Sequence, residues 1–120
     1  MEDSATGALH LAQQGRADRS KFVIMGGSAG GFTVLQSLVD KPGFYKAGIC
    51  RYGVSNQFLL TQDTHKFEAR YSDSLLGPLP QAADLYRQRS PLYHADKIVD
   101  ALAVYQVADD VVVPRNQSDL

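Results

Sequence analysis

Apolar and polar positions along the chain fall into helical and strand-like stretches that alternate. Ala5, Ala8, Leu9 and Ala12 recur at helical spacing within Ser4 to Gln14, and Gly15 follows as a stop. His10 lies off that stripe. A polar connection, Arg16 to Lys21, leads into Phe22-Val-Ile-Met25, a short apolar run of the kind a buried strand shows. Beyond the glycines that follow, helical spacing resumes. It predicts a helix from Ala29 to about Val39 that buries Phe32, Leu35 and Val39 and ends at Asp40-Lys-Pro-Gly43. Tyr45 to Tyr52 reads as a second strand, followed by the loop Gly53-Val-Ser-Asn-Gln57. Strand, helix and strand within about 30 residues make a βαβ unit, which implies parallel pairing and a right-handed crossover. Phe58 to Pro80 is polar and mixed, with a short helix expected over Lys66 to Tyr71. Ala82 to Arg89 predicts a further helix, and Ser90-Pro91 has the form of an N-cap followed by proline at the first helical position. Ala101 to Val107 is the third strand, and Asn116 to Leu120 opens one more polar element. The fold class is α/β: a parallel sheet with flanking helices, forming a single domain over residues 1–120.

Composition narrows the function classes. Hydrophobic residues make up 44% of the 120 residues, charged residues 21%, and the net charge is −1. That balance suits a soluble globular chain and supplies no basic excess for nucleic acid and no polybasic patch for a membrane. No apolar run approaches the ~20 residues needed to span a bilayer. Met1-Glu-Asp-Ser lacks the layout of a signal peptide, and the single Cys50 offers neither a disulfide nor a metal cluster. A cytoplasmic, reducing location is therefore expected, with no cofactor and no metal. Cys50 is expected to be a buried small apolar residue.

The candidate chemistry lies where the first strand meets the glycines. Gly26-Gly-Ser28-Ala-Gly30 matches G-x-S-x-G, the nucleophile elbow of α/β-hydrolases. A serine Oγ free at the top of a strand demands a sharp turn with φ > 0, and residues two before and two after it are squeezed between strand and helix. Glycine at 26 and 30 meets that demand. The backbone N–H of Ala29 would point at a developing oxyanion from the first turn of the helix. Gly26 to Gly31 also has the outer spacing of a P-loop, with Thr33 in place, but Phe32 stands where the phosphate-binding lysine belongs. A dinucleotide fingerprint fails at Ser28, and a glycine-rich turn carrying a bystander serine remains the plainest alternative. Asp109 and Asp110 follow the third strand, so the topology places carboxylates on the same sheet edge as Ser28.

Taken together, Gly26-Gly-Ser-Ala-Gly-Gly-Phe32, Gly53-Val-Ser-Asn56, Tyr71-Ser-Asp-Ser-Leu-Leu-Gly77, Arg89-Ser-Pro91 and Asp110-Val-Val-Val-Pro114 with Gln117-Ser118 resemble the catalytic domain of the prolyl oligopeptidase family. Its dipeptidyl- and acylaminoacyl-peptidase-like members come nearest. The resemblance runs through nearly the whole chain and implies a partial α/β-hydrolase fold, incomplete at both ends, from a serine peptidase. Ser28 matches the nucleophile, Ala29 the residue giving one oxyanion N–H, and Asp110 the acid that orients the catalytic histidine, with Asp109 as the alternative acid. The loop after the second strand is implied to shape the pocket, making Tyr52, Val54 and Phe58 candidate contacts for a peptide substrate. The sequence departs from the family in two places. Val107 stands where the family has glycine, and His10, His65 and His94 all precede Asp110, whereas the family histidine follows the acid on a later loop. The expectation is a triad whose histidine is missing from this chain, leaving the chain alone inactive. Two other functions fit the same residues: an esterase or lipase-like hydrolase, since ester and amide hydrolysis share a tetrahedral intermediate, and an inactive α/β module kept for binding. Oligomeric state has no signature in the sequence.

Overall fold

A computed structural model describes residues 2–58 and 76–119. Helix α1 (Glu2–Gln13) is followed by strand β1 (Val23–Gly27), helix α2 (Ala29–Asp40) and strand β2 (Ala47–Arg51). After residues 59–75, where the short helix expected over Lys66 to Tyr71 falls outside the described residues, come α3 (Ala83–Gln88) and a 3₁₀ segment (Pro91–Lys97). Strand β3 (Ala101–Tyr105) and the single-turn helix α4 (Asn116–Asp119) follow. The three strands pair in parallel in chain order, with Ile24 opposite Gly48 and Gly48 opposite Leu102. The parallel α/β sheet read from the pattern is therefore the architecture observed.

Local chemistry explains where the elements end. Gly15, at φ 71°, closes α1: its N–H bonds the Ala12 carbonyl at 3.0 Å while the Arg16 N–H bonds that of Leu11 at 2.9 Å. This pair of bonds is a Schellman motif. Pro42 follows the end of α2 and Gly43 takes φ 75°, as the breaker there predicts. Ser90 behaves differently from the cap expected of it. Its Oγ donates to the Tyr86 carbonyl at 2.6 Å and accepts the Gln57 N–H at 2.9 Å, so it ties α3 to the loop after β2 instead of capping the 3₁₀ segment. The strands are shorter than the apolar runs suggest. β3 stops at Tyr105, and Gln106 and Val107 are already irregular.

Helix α2 crosses one face of the sheet and carries the core. Val34, Leu35 and Leu38 are buried with Phe22, Tyr45 and Cys50, and Ala8, Leu9 and Ala12 of α1 pack against that cluster. Phe32, expected inside, is only half-buried, because the buried stripe of α2 runs through Gly31, Val34, Leu35 and Leu38. Gly48 lets the helix approach: a Cβ there would stand 2.7 Å from Cδ1 of Leu38. Cys50 is buried as expected, and removal from water pushes its thiol above the ordinary value of 9.0.

Among the described residues, the opposite face of the sheet is left open. Val23, Met25 and Tyr105 project from it at 55%, 59% and 60% exposure. The cause is topological. Right-handed crossovers between strands laid down in one direction always land on one side, and here α2, packed on β1 and β2, also meets the 3₁₀ segment. Parallel sheets are ordinarily covered on both faces.

A buried carboxamide locks the C-terminal edge of the sheet. Gln117, 2% exposed, accepts the Ser55 and Asn56 N–H groups on Oε1, both at 2.9 Å, and donates from Nε2 to the Asn56 carbonyl at 3.0 Å. The Ser55 hydroxyl bonds the Gln117 carbonyl, and the Ser55 carbonyl accepts the Leu92 N–H at 3.0 Å. The loop after β2 is thus held by α4 on one side and by the 3₁₀ segment on the other.

Three outcomes are expected. The 120-residue polypeptide expressed by itself should self-associate through its bare face and sheet edges; a cooperative unfolding transition of a monomer by ultracentrifugation and calorimetry would contradict this. Gln117→Leu, which fills the space but strands the buried backbone groups, should cost about 3 kcal/mol, read as a lowered melting temperature of the protein. The raised Cys50 pKa means that the unfolded thiol ionises first as pH rises, so its contribution to stability is full below pH 9 and declines above it. Melting temperatures of wild type and Cys50→Ala should therefore diverge in pH dependence only on the alkaline side.

Candidate active site

The turn from β1 into α2 is built by backbone crowding. Ser28 sits at its apex with φ 53° and ψ −121°, the positive φ that the motif requires, and its side chain makes no capping bond to the helix. Its N–H continues the sheet ladder to the Arg51 carbonyl at 3.1 Å, and its carbonyl accepts the Phe32 N–H at 3.0 Å as the first bond of α2. A Cβ at Gly26 would lie 2.5 Å from the Gly30 carbonyl carbon, so position 26 must be glycine for the helix to start so close to the strand. The matching expectation for Gly30 is corrected: a Cβ there would meet nothing within 4 Å. The second tight position is Gly31, whose Cβ would stand 2.6 Å from the Cα of Gly53 and 3.1 Å from the Arg51 carbonyl oxygen. The first turn of α2 is pressed against the end of β2, backbone to backbone.

Ala29 is the first residue of α2, where N–H groups have no partner within the helix and the dipole presents its positive end. That N–H is the donor nearest in sequence to the Ser28 hydroxyl.

Asp110 lies on the same edge, beyond β3. Its Oδ1 accepts two backbone N–H groups, from Val112 and Val113, each at 2.9 Å. Among the described residues its Oδ2 meets only the Gln106 amide, at 3.5 Å, and so keeps acceptor capacity for another donor. Asp109, by contrast, is exposed. β2 lies between the strands that lead to Ser28 and Asp110.

The three residues expected around substrate fall in different settings. Tyr52 follows β2 at φ 38°, donates its N–H to the Tyr105 carbonyl at 2.6 Å, and lays its ring over Gly27, where a Cβ would approach the ring to 2.8 Å. It stands beside the elbow and is partly open to solvent. Val54 is buried at 6% exposure and belongs to the packing beneath the loop; among the described residues it offers no open surface for a substrate. Phe58 packs in an aromatic group, its ring centroid 5.3 Å from that of Tyr86 and 6.2 Å from that of Tyr93.

Of the histidines, His65 lies outside the described residues. His10 is exposed on α1, beside Gln14. His94 lines a hollow of about 460 Å³ with Asp40 and Lys41, at the far end of α2 from Ser28. Neither of these two is on the Ser28 edge. Among the described residues no three His, Cys, Asp or Glu side chains are grouped to hold a metal, and no helix is long and apolar enough to cross a membrane. The sequence does not single out Gly31, Gln106 or the locking role of Gln117: the glycine pair at 30 and 31 is a visible signal that leaves open which member is crowded, and Gln117 enters only as part of the Gln117-Ser118 motif.

Comparison with known proteins identifies the family. The model of the prolyl oligopeptidase family matches residues 1–119. Dipeptidyl aminopeptidase BIII of Pseudoxanthomonas mexicana is 31% identical over 125 residues, taking in 99% of this chain and 18% of that protein. A puromycin-hydrolyzing peptidase of Mycobacterium tuberculosis superposes with a TM-score of 0.92 at 38% identity, covering 98% of this chain and 18% of its own. An acylaminoacyl peptidase of Pyrococcus horikoshii gives a TM-score of 0.82 at 25% identity, over 92% of this chain and 18% of that one. The chain thus spans less than a fifth of the length of each of these relatives. It belongs to the prolyl oligopeptidase family of peptidases and forms part of that family's α/β-hydrolase fold.

Proposed function

We propose that this chain carries two of the three catalytic residues of a serine peptidase, Ser28 as nucleophile and Asp110 as the acid, and that a histidine other than His10, His65 and His94 of this chain completes the triad. The observation that carries the reading is the strained Ser28 backbone, φ 53° and ψ −121°, at the strand-to-helix turn, with a half-satisfied carboxylate on the same sheet edge. The hydroxyl attacks the scissile carbonyl while the histidine takes its proton, giving a tetrahedral oxyanion that the Ala29 N–H stabilises. The histidine then returns the proton to the leaving amine as the C–N bond breaks, and water repeats the sequence on the acyl-enzyme. Asp110 Oδ2 holds the imidazole in the required tautomer. The neighbourhood of Tyr52 to the elbow makes its ring a wall of the substrate pocket, with a peptide as the substrate class.

Without the histidine Ser28 is a weak nucleophile, so the 120-residue polypeptide alone is expected to be inactive. In the complete enzyme, Ser28→Ala should lower kcat on aminoacyl and dipeptidyl 4-nitroanilides by a factor of about 10³ or more, and Asp110→Asn by about 10³ to 10⁴. KM should change little in either variant. Full labelling of the Ser28→Ala enzyme by a fluorophosphonate would overturn the assignment. Turnover of 4-nitrophenyl acetate with none of the anilides would redirect it to an esterase.

A further inference from the structure

Asp110 is held in place by a side chain that neither the motif nor the triad assigns. Gln106, just past the end of β3, makes hydrogen bonds from both ends of its carboxamide. Its Oε1 accepts the Ser118 hydroxyl at 2.9 Å, and its Nε2 lies 3.0 Å from the Val113 carbonyl and 3.5 Å from Asp110 Oδ2. The carbonyl of Val113 accepts only, which fixes the nitrogen toward the acid loop and the oxygen toward α4. Val113 is the residue whose N–H clamps Asp110 Oδ1 at 2.9 Å. The amide therefore holds the carbonyl of the same residue whose N–H is one of the acid's donors. It also presents a positive N–H edge to the oxygen left open. Ser118 in turn sits next to Gln117, whose side chain fixes Ser55 and Asn56 in the loop after β2. The loop beside the elbow and the loop of the acid are linked through two neighbouring residues of α4.

From this arrangement we infer that Gln106 is a positioning residue: it sets the orientation of the Asp110 carboxylate through Val113. The inference rests on the reading of Ser28 and Asp110 given above. A glutamate at this position is equal in length but cannot donate to Val113, and it sets a second carboxylate beside Oδ2. The other charged or titratable groups on the surrounding elements are Asp109 next to the acid and Arg51, Tyr52 and Tyr105 at the ends of β2 and β3. Arg115 and Asp119 of α4 pair with each other at 3.0 Å. An added negative charge beside Asp110 raises the pKa of the imidazole that Asp110 faces, so the acidic limb of activity moves to higher pH.

The test uses the complete enzyme and a fluorophosphonate probe, with the second-order labelling rate followed against pH and turnover of alanine 4-nitroanilide measured in parallel. Gln106→Glu should shift the acidic limb upward by about one pH unit. Gln106→Met, similar in volume and without donors, should lower kcat about tenfold or more while KM stays within about twofold. Melting curves report the folded fraction of each variant. A loss of rate that merely follows the folded fraction, with an unmoved pH profile, would overturn the inference, as would wild-type behaviour of both variants. Ser28→Ala is run alongside. Labelling that survives in Ser28→Ala condemns the triad reading itself, whereas labelling lost there with unaltered Gln106 variants condemns only the role given to Gln106.

Discussion

The structure depends on backbone meeting backbone at the top of the sheet. Gly26 faces Gly30 and Gly31 faces Gly53 at separations that leave no room for a Cβ at 26 or 31. These contacts make α2 begin one residue after β1 ends, and that abruptness forces Ser28 into positive φ. A non-glycine residue in such a conformation costs on the order of 1–3 kcal/mol and persists only where its surroundings over-determine it. Here the over-determination is visible: the Ser28 N–H is fixed to β2 and its carbonyl to α2. The same contacts seat the core, because the helix that starts so close to the sheet also drives Leu38 and Val34 down onto Gly48.

Much of this was legible in the sequence because periodicity reports burial. The stripe of α1, the apolar run before the glycines and the second strand bury apolar surface against one face, and their patterns say so, whereas the third strand is as apolar yet largely exposed. The elbow was legible for another reason: few local conformations accept a G-x-S-x-G turn between strand and helix. Three details were not. Phe32 fits a helical stripe yet sits half-buried, since the angle at which α2 meets the sheet selects among adjacent stripes and no local rule sets that angle. Gly30 and Gly31 are adjacent and indistinguishable by type, and only the approach of Gly53 decides which one is crowded. Val54 reads as an apolar loop residue near the serine, while the bonds made by Gln117 and Ser90 to its neighbours pull it into the interior.

The carboxylate side of the site shows how polar side chains far apart in sequence do what periodicity cannot encode. Gln117, Gln106 and Ser118 connect the acid loop to the loop after β2 across more than fifty positions of chain. Each is an ordinary polar residue by composition. Their importance appears only when backbone donors that would otherwise be buried without partners are traced to the groups that satisfy them. Such tracing also explains why one oxygen of Asp110 is saturated and the other is not.

The one-sided sheet has a consequence for how the protein comes into being. Strands that pair in the order they are synthesised can assemble on the α2 side while the nascent chain is still short, since that side needs only local contacts. The exposed Val23, Met25 and Tyr105 take no part in that local assembly, so the order of synthesis leaves this surface facing solvent among the described residues.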